Sequence, residues 1–348
     1  MTVWQRTAIA IARSRMAKTL AQPVIGRTLL ARRFIAYGTV DDAVSAARTL
    51  HSGTGIAASL FYLGEYIDDP ARAEETVSQT CRAASLLGMH NLDVHVSIDP
   101  TAIGYLTSEE LCRRNAERVA HAVASNGRGH SWVMLDMEDL SVLEPTLALL
   151  HHLLAQDLPA AITLQARLRR TRDDLAPLLD KPTCVRLVKG AFPLGPEHDY
   201  QGSTEISRNF FSLASMMLSP AARRAGFYPS FGTHDGVLAR EVIKLARANG
   251  WQPDQYEIEF LYGVRTPWQR ELRNDGVAVR VYLPFGTDWW PYVMRRIGEN
   301  PRNLLLVTRS LLPRAGAARL AARSDRRRVD GERDDPDGQP AGSGRTAG

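Results

Sequence analysis

The chain contains 348 residues, of which 44% are hydrophobic and 23% are charged, and its formal net charge at pH 7 is +5. This length is enough to bury a large core and suits either two ordinary domains or one large α/β barrel. The three cysteines lie far apart in the sequence and form no CxxC pair, so they predict neither a disulfide framework nor a zinc site. A reducing cytoplasm is therefore the expected location.

Residues 1–53 are predicted to form a helical segment that precedes the main domain. Their apolar run TAIAIA is interrupted by Arg13 and Arg15, so it is too short to be the core of a signal peptide. No stretch of the chain reaches the roughly 20 uncharged apolar residues that a membrane span requires. Any membrane contact is therefore expected to be peripheral, and the basic, amphipathic N-terminus is the segment that could make it.

Eight β-rich apolar segments follow, separated by stretches with helical patterns. In chain order the segments are GIAASL, NLDVHVSI, HSWVMLDM, LPAAITLQ, TCVRLVK, FYPSFGTH, YEIEFLYG and VAVRVYLPFG. One helical stretch has a capping box from Thr107 to Glu110 and a stop signal at Gly127, and residues 203–226 show a similar pattern. Eight strand–helix units over about 260 residues predict a closed (βα)8 barrel, an α/β fold.

The barrel is expected to occupy residues 54–314, and residues 315–348 are expected to form a disordered, charged tail. The tail consists mainly of Arg, Asp, Gly, Pro and Ser, so it has too few large apolar groups to offset the entropy lost on ordering. Its arginines are interleaved with acidic residues, and it lacks aromatic side chains on which nucleobases could stack. Nucleic-acid binding is therefore not predicted.

In barrels of this class the active site lies at the carboxyl ends of the strands, where the βα loops converge. Nearly every predicted strand in this chain ends with a charged or hydrogen-bonding residue. These residues are Asp99, Asp136, Glu138, Gln165, Arg186, Lys189, Thr233, His234, Glu259 and Tyr282. Because the strand ends converge, we predict a single polar, partly cationic site at this end of the barrel.

The motifs exclude several common chemistries for that site. The segment GTGIAA precedes a strand instead of following one, so it does not meet the requirement of a dinucleotide-binding fold, and there is no P-loop. Among the histidines only His234, beside Asp235, stands near a strand end with a suitable neighbour, so a metal site is not predicted. No GxSxG elbow and no strand-end Cys–His pair indicates a nucleophile. From the residues alone, the chain is expected to be a barrel enzyme.

Residues 289–299 are predicted to form the last helix, with an apolar arc and a polar arc on opposite sides. The apolar arc is Trp290, Val293, Met294 and Ile297, and the polar arc is Tyr292, Arg295, Arg296 and Glu299. Taken alone, the polar arc favours a solvated face with an ordinary i,i+4 pair between Arg295 and Glu299. A more specific interpretation requires the neighbouring motifs.

Four motifs occur in a distinctive order and spacing. They are VRLVKGAF at Val185–Phe192, GTHD at Gly232–Asp235, YEIEFLYGV at Tyr256–Val264 and VYLPFGTDWWPYVMRRIGENPRN at Val281–Asn303. Together with LDMED and LQARLRR, they resemble the proline dehydrogenase family over essentially the whole barrel. Members of that family are flavoenzymes on a distorted (βα)8 barrel. The resemblance implies a noncovalently bound FAD and oxidation of L-proline to 1-pyrroline-5-carboxylate by hydride transfer to flavin N5.

The resemblance also implies that the last helix lies over the carboxyl ends of the strands, with its polar arc directed at the flavin and substrate. Arg295 and Arg296 are then expected to bind the substrate carboxylate, because guanidinium groups are permanently charged and offer forked donors. Glu299 is expected to orient Arg295. The other expected substrate or ring contacts are Tyr282, Tyr292, Leu261 and Asp136.

For the cofactor, the resemblance implies contacts from several strand ends. Arg186 is expected to reach the region of flavin N5, and Gln165 the edge of the isoalloxazine ring. Gly190 is expected to let the backbone approach closely. The remaining expected cofactor contacts are Val188, Lys189, Ala191, Thr233, His234, Asp235 and Glu259.

Two residues depart from the family pattern. Asp99, in VSIDPTAIG, stands where the family usually has a lysine, and Glu259 stands where glutamine is more common. A carboxylate near a bound carboxylate weakens binding, so a modified proline or another cyclic amino acid is an alternative substrate. A barrel with only a binding or regulatory role is a further alternative. The family commonly passes electrons to membrane quinones, which implies peripheral contact with the inner face of the membrane.

Overall fold

The computed structural model describes residues 38–190, 195–290 and 292–294, and its eight strands form one closed parallel barrel. Each strand pairs with the next, and the eighth pairs with the first. The strands are β1 (Ala57–Tyr62), β2 (His95–Ile98), β3 (Trp132–Leu135), β4 (Ala160–Gln165), β5 (Cys184–Val188), β6 (Tyr228–Gly232), β7 (Glu257–Leu261) and β8 (Ala278–Phe285). The predicted (βα)8 barrel is confirmed, and each strand overlaps one of the eight predicted segments.

Helices surround the barrel and cover the outward faces of its strands. They are α1 (Val40–Thr54), α2 (Pro70–Met89), α3 (Glu109–Asn126), α4 (Leu143–Leu154), α5 (Thr171–Leu175), α6 (Ser203–Met217), α7 (Pro220–Arg224), α8 (Gly236–Ala248) and α9 (Thr266–Asn274). Short 3-10 helices occur at Pro100–Ala102, Leu140–Val142 and Ala176–Leu178. Within the described ranges, no helix combines the length and the apolar character needed to cross a membrane.

The two faces of the strands have different chemistry. Outward residues such as Val96, Leu187 and Ile258 are buried beneath the helices in one continuous apolar core. Inward residues are largely polar, and their side chains bond across the barrel: the Ser59 hydroxyl on β1 donates to Glu259 Oε1 on β7 at 2.7 Å. Because successive strand residues point to opposite faces, this alternation places the polar groups along the barrel axis.

Two helix boundaries differ from the predictions. The cap of α3 is Ser108, whose Oγ accepts from the Leu111 amide at 3.1 Å, so the predicted capping box from Thr107 was displaced by one residue. The helix ends at Gly127 as predicted. The segment 203–226 forms two helices. A proline in the middle of a helix would break it, so the first helix ends at Met217 and a second helix begins at Pro220.

The first described helix closes the ring of helices around the barrel. Helix α1 packs on β1, β8 and α2, with Val40, Val44 and Ala47 among its buried residues, so it covers the seam where the last strand meets the first. Of the predicted segment 1–53, only the part from residue 38 onward lies within the described residues. The predicted tail, 315–348, lies outside them.

Candidate active site

A cavity of about 390 Å³ lies at the carboxyl ends of the strands, and all eight strands or the residues directly after them contribute to its wall. This volume falls in the range of about 300–1,000 Å³ that is typical of small-molecule sites. The polar residues from the predicted site that line it are Asp99, Asp136, Glu138, Gln165, Arg186, His234, Glu259, Tyr282 and Tyr292. Val188, Gly190 and Leu261 line it as well. The structure therefore brings most of the predicted strand-end residues together.

Arg186 is the central cation of the cavity floor and is only 4% exposed. Its guanidinium donates to Glu259 Oε1 at 2.8 Å, to Thr163 Oγ1 at 2.9 Å, to Ser97 Oγ at 3.3 Å and to the Asp136 carboxylate. Burial alone lowers the pKa of Arg186, but Asp136 and Glu259 more than offset this and raise it. The side chain is thus a charged group held in one orientation by four partners.

Asp136 connects this cation to the opposite wall. The Tyr282 hydroxyl donates to Asp136 Oδ2 at 2.8 Å, and the Thr163 hydroxyl donates to Oδ1 at 2.8 Å. The Arg186 guanidinium lies 5.1 Å from the centre of the Tyr282 ring. Burial, followed by the charge of Asp136, raises the pKa of Tyr282 well above its usual value. Tyr282 is therefore a neutral donor whose ring faces the cavity.

A second group of carboxyls lies on the β2 and β3 side. Glu138 accepts hydrogen bonds from the Thr101 hydroxyl at 2.5 Å and from the Thr101 amide at 3.0 Å. Burial raises the pKa of Glu138 to about 7, with further contributions from Asp139 and Asp136, although the Thr101 bonds act in the opposite direction. For Asp99, burial and the neighbouring Glu138 and Asp136 raise the pKa well above its usual value.

The turn after β5 brings backbone to the edge of the cavity. Gly190 has a φ of +95°, and a Cβ at this position would lie 2.5 Å from Gln165 Oε1 and 3.2 Å from Arg167 Cβ. Gln165 donates through Nε2 to the Glu138 carbonyl at 3.2 Å, whereas its buried Oε1 has no hydrogen-bond partner among the described residues. A glycine and an unsatisfied acceptor therefore meet at one point of the wall.

Three predicted cofactor contacts do not line the cavity. Lys189 Nζ donates to Asp235 Oδ2 and to Ser207 Oγ, both at 2.9 Å, on the outer side of the barrel rim. Asp235 also caps α8 by accepting from the amides of Val237 and Leu238. Thr233 is buried, and its hydroxyl accepts from the Asp235 amide at 3.2 Å. These residues hold the two loops together beside the site.

The last helix enters the site with its first described residues. Trp290, Val293 and Met294 of the predicted apolar arc are buried, and Tyr292 is buried and lines the cavity. The start of this helix thus lies at the carboxyl ends of the strands. The predicted residues Ala191, Arg295, Arg296 and Glu299 lie outside the described residues.

The sequence reasoning missed several groups that fix the site. Ser97 and Thr163 bind Arg186, and Thr101 holds Glu138. Ser97 and Thr163 each stand two residues before a predicted site residue, Asp99 and Gln165, on the same strand or directly beyond it. The two-residue period of a strand was therefore the signal that could have identified them.

Comparison with known proteins agrees with this geometry. The model of the proline dehydrogenase family matches residues 43–309. Proline dehydrogenase 1 of Bacillus subtilis subsp. natto is 31% identical over 287 residues, which cover 82% of this chain and 92% of that protein. Proline dehydrogenase of Deinococcus radiodurans is 32% identical over 288 residues, covering 81% of this chain and 90% of that protein.

The barrel also resembles solved structures. Proline utilization A from Bdellovibrio bacteriovorus superposes with a TM-score of 0.71 at 19% sequence identity, over 84% of this chain and 36% of that chain. The chain therefore spans about a third of that larger protein. At this identity the likeness concerns the fold.

Proposed function

Because the chain belongs to the proline dehydrogenase family, we propose that it oxidises L-proline to 1-pyrroline-5-carboxylate with a noncovalently bound FAD. The observation that carries the proposal is the convergence of eight strand ends on one cavity that holds the fixed cation Arg186 and the neutral donor Tyr282. Both relatives described above carry proline dehydrogenase as their name, and the chain matches most of their length.

The residues of the cavity fit a flavin. Its ring edge carries both donors and acceptors, and the wall offers the unsatisfied acceptor Gln165 Oε1 and the charged donor Arg186. Gly190 leaves the backbone at the rim uncovered by a side chain, and any Cβ at this position would collide with Gln165 Oε1. Val188 and Leu261 provide apolar contact area. When bound, FAD supplies the hydride acceptor for the carbon next to the ring nitrogen, and the nitrogen releases a proton as the C–N bond becomes C=N.

The protein's part in this reaction is binding and orientation. Arg186 would provide a positive charge for the bound flavin, and its four partners keep that charge in position before the substrate enters. Tyr282, held by Asp136, forms one wall of the pocket. By sequence resemblance, Arg295 and Arg296 bind the substrate carboxylate, with Glu299 orienting Arg295.

We propose further that electrons leave the enzyme toward a membrane quinone. The resemblance to the family and the basic, amphipathic sequence of the N-terminal residues 1–37 support this. The protein is then a cytoplasmic enzyme that contacts the inner face of the membrane peripherally. Vesicles that contain quinone should reoxidise the reduced enzyme faster than quinone-free vesicles, and equal rates would argue for a soluble acceptor.

The central test is anaerobic reduction of the purified holoprotein. L-proline should bleach the visible flavin absorbance, and mass spectrometry should detect a product lighter by two hydrogens. Denaturation should release FAD, whereas flavin that stays attached to the unfolded chain would contradict noncovalent binding. A holoprotein that no cyclic amino acid reduces would overturn the proposed function.

The carboxylate ligands can be tested separately. Arg296→Met should raise the KM for L-proline at least about tenfold, because a hydrogen bond to a charged group contributes roughly 1.5–3 kcal/mol. Arg48→Met, on the exposed surface of α1, is the matched control and should leave KM unchanged. Equal KM values for both variants would assign Arg296 to a solvated face.

A further inference from the structure

The cavity wall carries more carboxyl groups than cations among its described residues. The carboxyl groups are Asp99, Asp136, Glu138 and Glu259, and the guanidinium groups are Arg167 and Arg186. Arg186 is shared between Asp136 and Glu259, and Arg167 pairs with Asp199 at 3.3 Å. Asp99 and Glu138 therefore form no ion pair within the described part of the wall, and Arg186 attracts Asp99 only at longer range.

These two acids differ in how their oxygens are satisfied. Both Glu138 oxygens accept hydrogen bonds from Thr101. No hydrogen bond or ion pair reaches the Asp99 carboxyl from any described residue, although the side chain lines the cavity and the residue is only 6% exposed. Neither Asp99 oxygen is fully enclosed by protein, so the carboxyl faces the cavity. A ligand that displaces water from the cavity leaves this carboxyl without a partner unless the ligand supplies one, and an unpartnered polar group is costly.

The local backbone shows that Asp99 is not engaged in a structural role either. Asp99 occupies the N-cap position of the 3-10 helix Pro100–Ala102, where an aspartate side chain often accepts from the following amides. Here it makes no cap hydrogen bond. The carboxyl lies in the cavity wall instead, beside Glu138 and Asp136, whose charges raise its pKa after the larger effect of burial.

Plain proline offers Asp99 a poor partner. The ring carbons of proline carry no hydrogen-bond donor. The ring ammonium must lose its proton before the adjacent carbon can give up a hydride, and a paired carboxylate would stabilise the protonated, unreactive form. With L-proline bound and reactive, the substrate ring would therefore offer Asp99 no hydrogen-bond donor.

We propose that Asp99 selects a cyclic amino acid whose ring carries an additional hydrogen-bond donor, a hydroxyl or an ammonium group. This rests on the proposed function and specifies its substrate class. A site built to bond a donor rejects the analogue that lacks it more strongly than an apolar pocket rejects an extra group, because the site's own polar atom is left unpaired. Asp99 is thereby a specificity-determining residue for the same oxidation.

The experiment compares substrates on the holoenzyme. The panel consists of L-proline, the cis and trans 4-hydroxy-L-prolines, the cis and trans 3-hydroxy-L-prolines and the cis and trans 4-amino-L-prolines. At least one donor-bearing compound should have a kcat/KM at least about tenfold above that of L-proline. The hydroxy and amino arms distinguish a neutral from a cationic donor.

Two variants then assign that preference to Asp99. Asp99→Leu removes the acceptor while keeping the number and branching of the side-chain heavy atoms, and it should lower the ratio of kcat/KM for the favoured compound over L-proline at least about tenfold. Asp99→Asn keeps an acceptor oxygen but removes the charge, so it should lower the ratio mainly for an ammonium donor. Asp69→Asn is the matched control: it removes one carboxylate at the exposed N-cap of α2, where asparagine caps equally well, and should preserve the ratio.

If a variant no longer turns over substrate, the preference can be tested by measuring the binding of an analogue that cannot be oxidised. Tetrahydrofuran-2-carboxylate, with and without a 4-hydroxyl or 4-amino group, cannot form an imine, and its binding can be followed by the flavin spectrum. The substituent should strengthen binding to the parent enzyme at least about tenfold and not to Asp99→Leu.

The outcomes separate the two proposals. Reduction by L-proline at least as efficient as by every donor-bearing compound would overturn the inference and leave the proposed function standing. An Asp99→Leu enzyme with the parent's ratios would do the same. A flavin that neither L-proline nor any panel compound reduces would remove the proposed function and, with it, the inference.

Discussion

The described part of the barrel interior contains two arginine–carboxylate clusters on its axis, of which one borders the cavity described above and the other does not. The upper cluster is Arg186 with Asp136 and Glu259. The lower cluster is Arg280 with Glu257 and Asp93. Both guanidiniums are almost fully buried, at 4% and 1% exposure, and each lies between two carboxylates. By burial and pairing alone the two clusters are equivalent.

They differ in how completely the partners satisfy one another. In the lower cluster, Arg280 donates to both oxygens of Glu257 at 2.9 and 3.0 Å, to Asp93 at 2.9 Å and to the Ala58 carbonyl at 2.9 Å. None of these four residues lines the cavity described above. The arrangement is closed, and it fixes three parts of the barrel floor relative to one another.

The upper cluster also has a central arginine, but it borders the cavity. Its carboxylates and Tyr282 form part of the cavity wall, next to the unsatisfied Gln165 Oε1. A buried ion pair therefore does not by itself mark a functional site. Accessible volume and unsatisfied acceptors beside the pair distinguish the upper cluster from the lower one.

A histidine lies within the electrostatic field of both clusters. His95, on β2, is completely buried, and neither ring nitrogen has a hydrogen-bond partner among the described residues. Burial lowers its pKa well below the usual value, and the charges of Arg280 and Arg186 lower it further. A neutral imidazole therefore adds no third positive charge to the barrel axis.

The largest expected effect comes from removing the lower cation. Arg280→Met leaves the buried Glu257 and the partly exposed Asp93 without their cation and should reduce the free energy of unfolding by about 3–5 kcal/mol. Arg186→Met should cost less stability, because its carboxylates border the cavity and can gain water or protons, but it should abolish flavin reduction by L-proline. Urea unfolding and anaerobic reduction measure the two quantities. Equal losses of stability in the two variants would show that the cavity does not reduce the cost of leaving Asp136 and Glu259 without their cation.

A double variant of the lower cluster distinguishes two causes of the stability loss: a carboxylate left without its cation, and the loss of arginine packing. Adding Glu257→Gln to Arg280→Met removes one stranded carboxylate and should recover part of the lost stability. No recovery would indicate that the arginine acts mainly by filling volume.

The second effect depends on pH and is on the order of 3 kcal/mol. The pKa of Glu138 is raised from its ordinary 4.5 to about 7, so the folded protein binds a proton more tightly than the unfolded chain. Its stabilising contribution is complete below pH 4.5 and is lost as the pH rises through 7. Glu138→Gln should therefore be least favourable relative to the parent at low pH and most favourable at pH 8, measured by urea unfolding.

An exposed acid provides the comparison for this titration. Arg118 donates a hydrogen bond that lowers the pKa of Glu74, so that contribution is present at neutral pH and lost on acidification. Glu74→Gln should therefore show a small dependence of the opposite sign, because the exposed pair is weak. A Glu138→Gln difference that does not vary with pH would contradict a raised pKa.

The third effect tests the rim of the cavity. Gly190→Ala combines an unfavourable φ of +95° with a Cβ 2.5 Å from Gln165 Oε1, so it should cost about 1–3 kcal/mol and weaken FAD retention. Gly276→Ala has a similar φ of +84° with no atom within 4 Å of the added Cβ. It should show the backbone cost without the FAD effect. Comparable FAD affinities in both variants would exclude a cofactor contact at Gly190.

The smallest effect compares one tyrosine from each level of the barrel. The hydroxyl of Tyr282 donates to Asp136 at 2.8 Å, and that of Tyr228 donates to Glu257 at 3.3 Å. Either Phe substitution should cost only about 0.5–1.5 kcal/mol in unfolding experiments. Tyr282→Phe should also alter kcat/KM for L-proline, whereas Tyr228→Phe should not. A kinetic effect of Tyr228→Phe would show that the lower cluster influences the site.

The fold could be predicted from the sequence because eight apolar segments that alternate with helical patterns bury their apolar faces in a closed parallel barrel. The cavity wall followed in large part from the same pattern, since strand ends converge in a barrel. Lys189 was wrongly placed in the cavity wall because the prediction did not apply the two-residue period of a strand. It stands three residues after Arg186, hence on the opposite face, and the structure pairs it with Asp235 outside the cavity.

Other features depend on distances that no local pattern contains. The stagger between neighbouring strands determines that Arg186 reaches Glu259 and Asp136 while Arg280 reaches Glu257. Adjacent hydroxyl residues such as Thr107 and Ser108 are both suitable caps, and the entry angle of the chain decides between them. These choices arise from packing rather than from residue type.

The seam between β1 and β8 governs the order in which the protein can mature during synthesis. These strands pair from Ala57 with Arg280 to Tyr62 with Phe285, so the partner of the first strand is the last one to leave the ribosome. Until then β1 has an unpaired edge, and α1, made just before it, is the element that covers its outer face. Closure over so long a sequence separation is slow. The nascent chain therefore has no complete cavity until β8 has paired with β1.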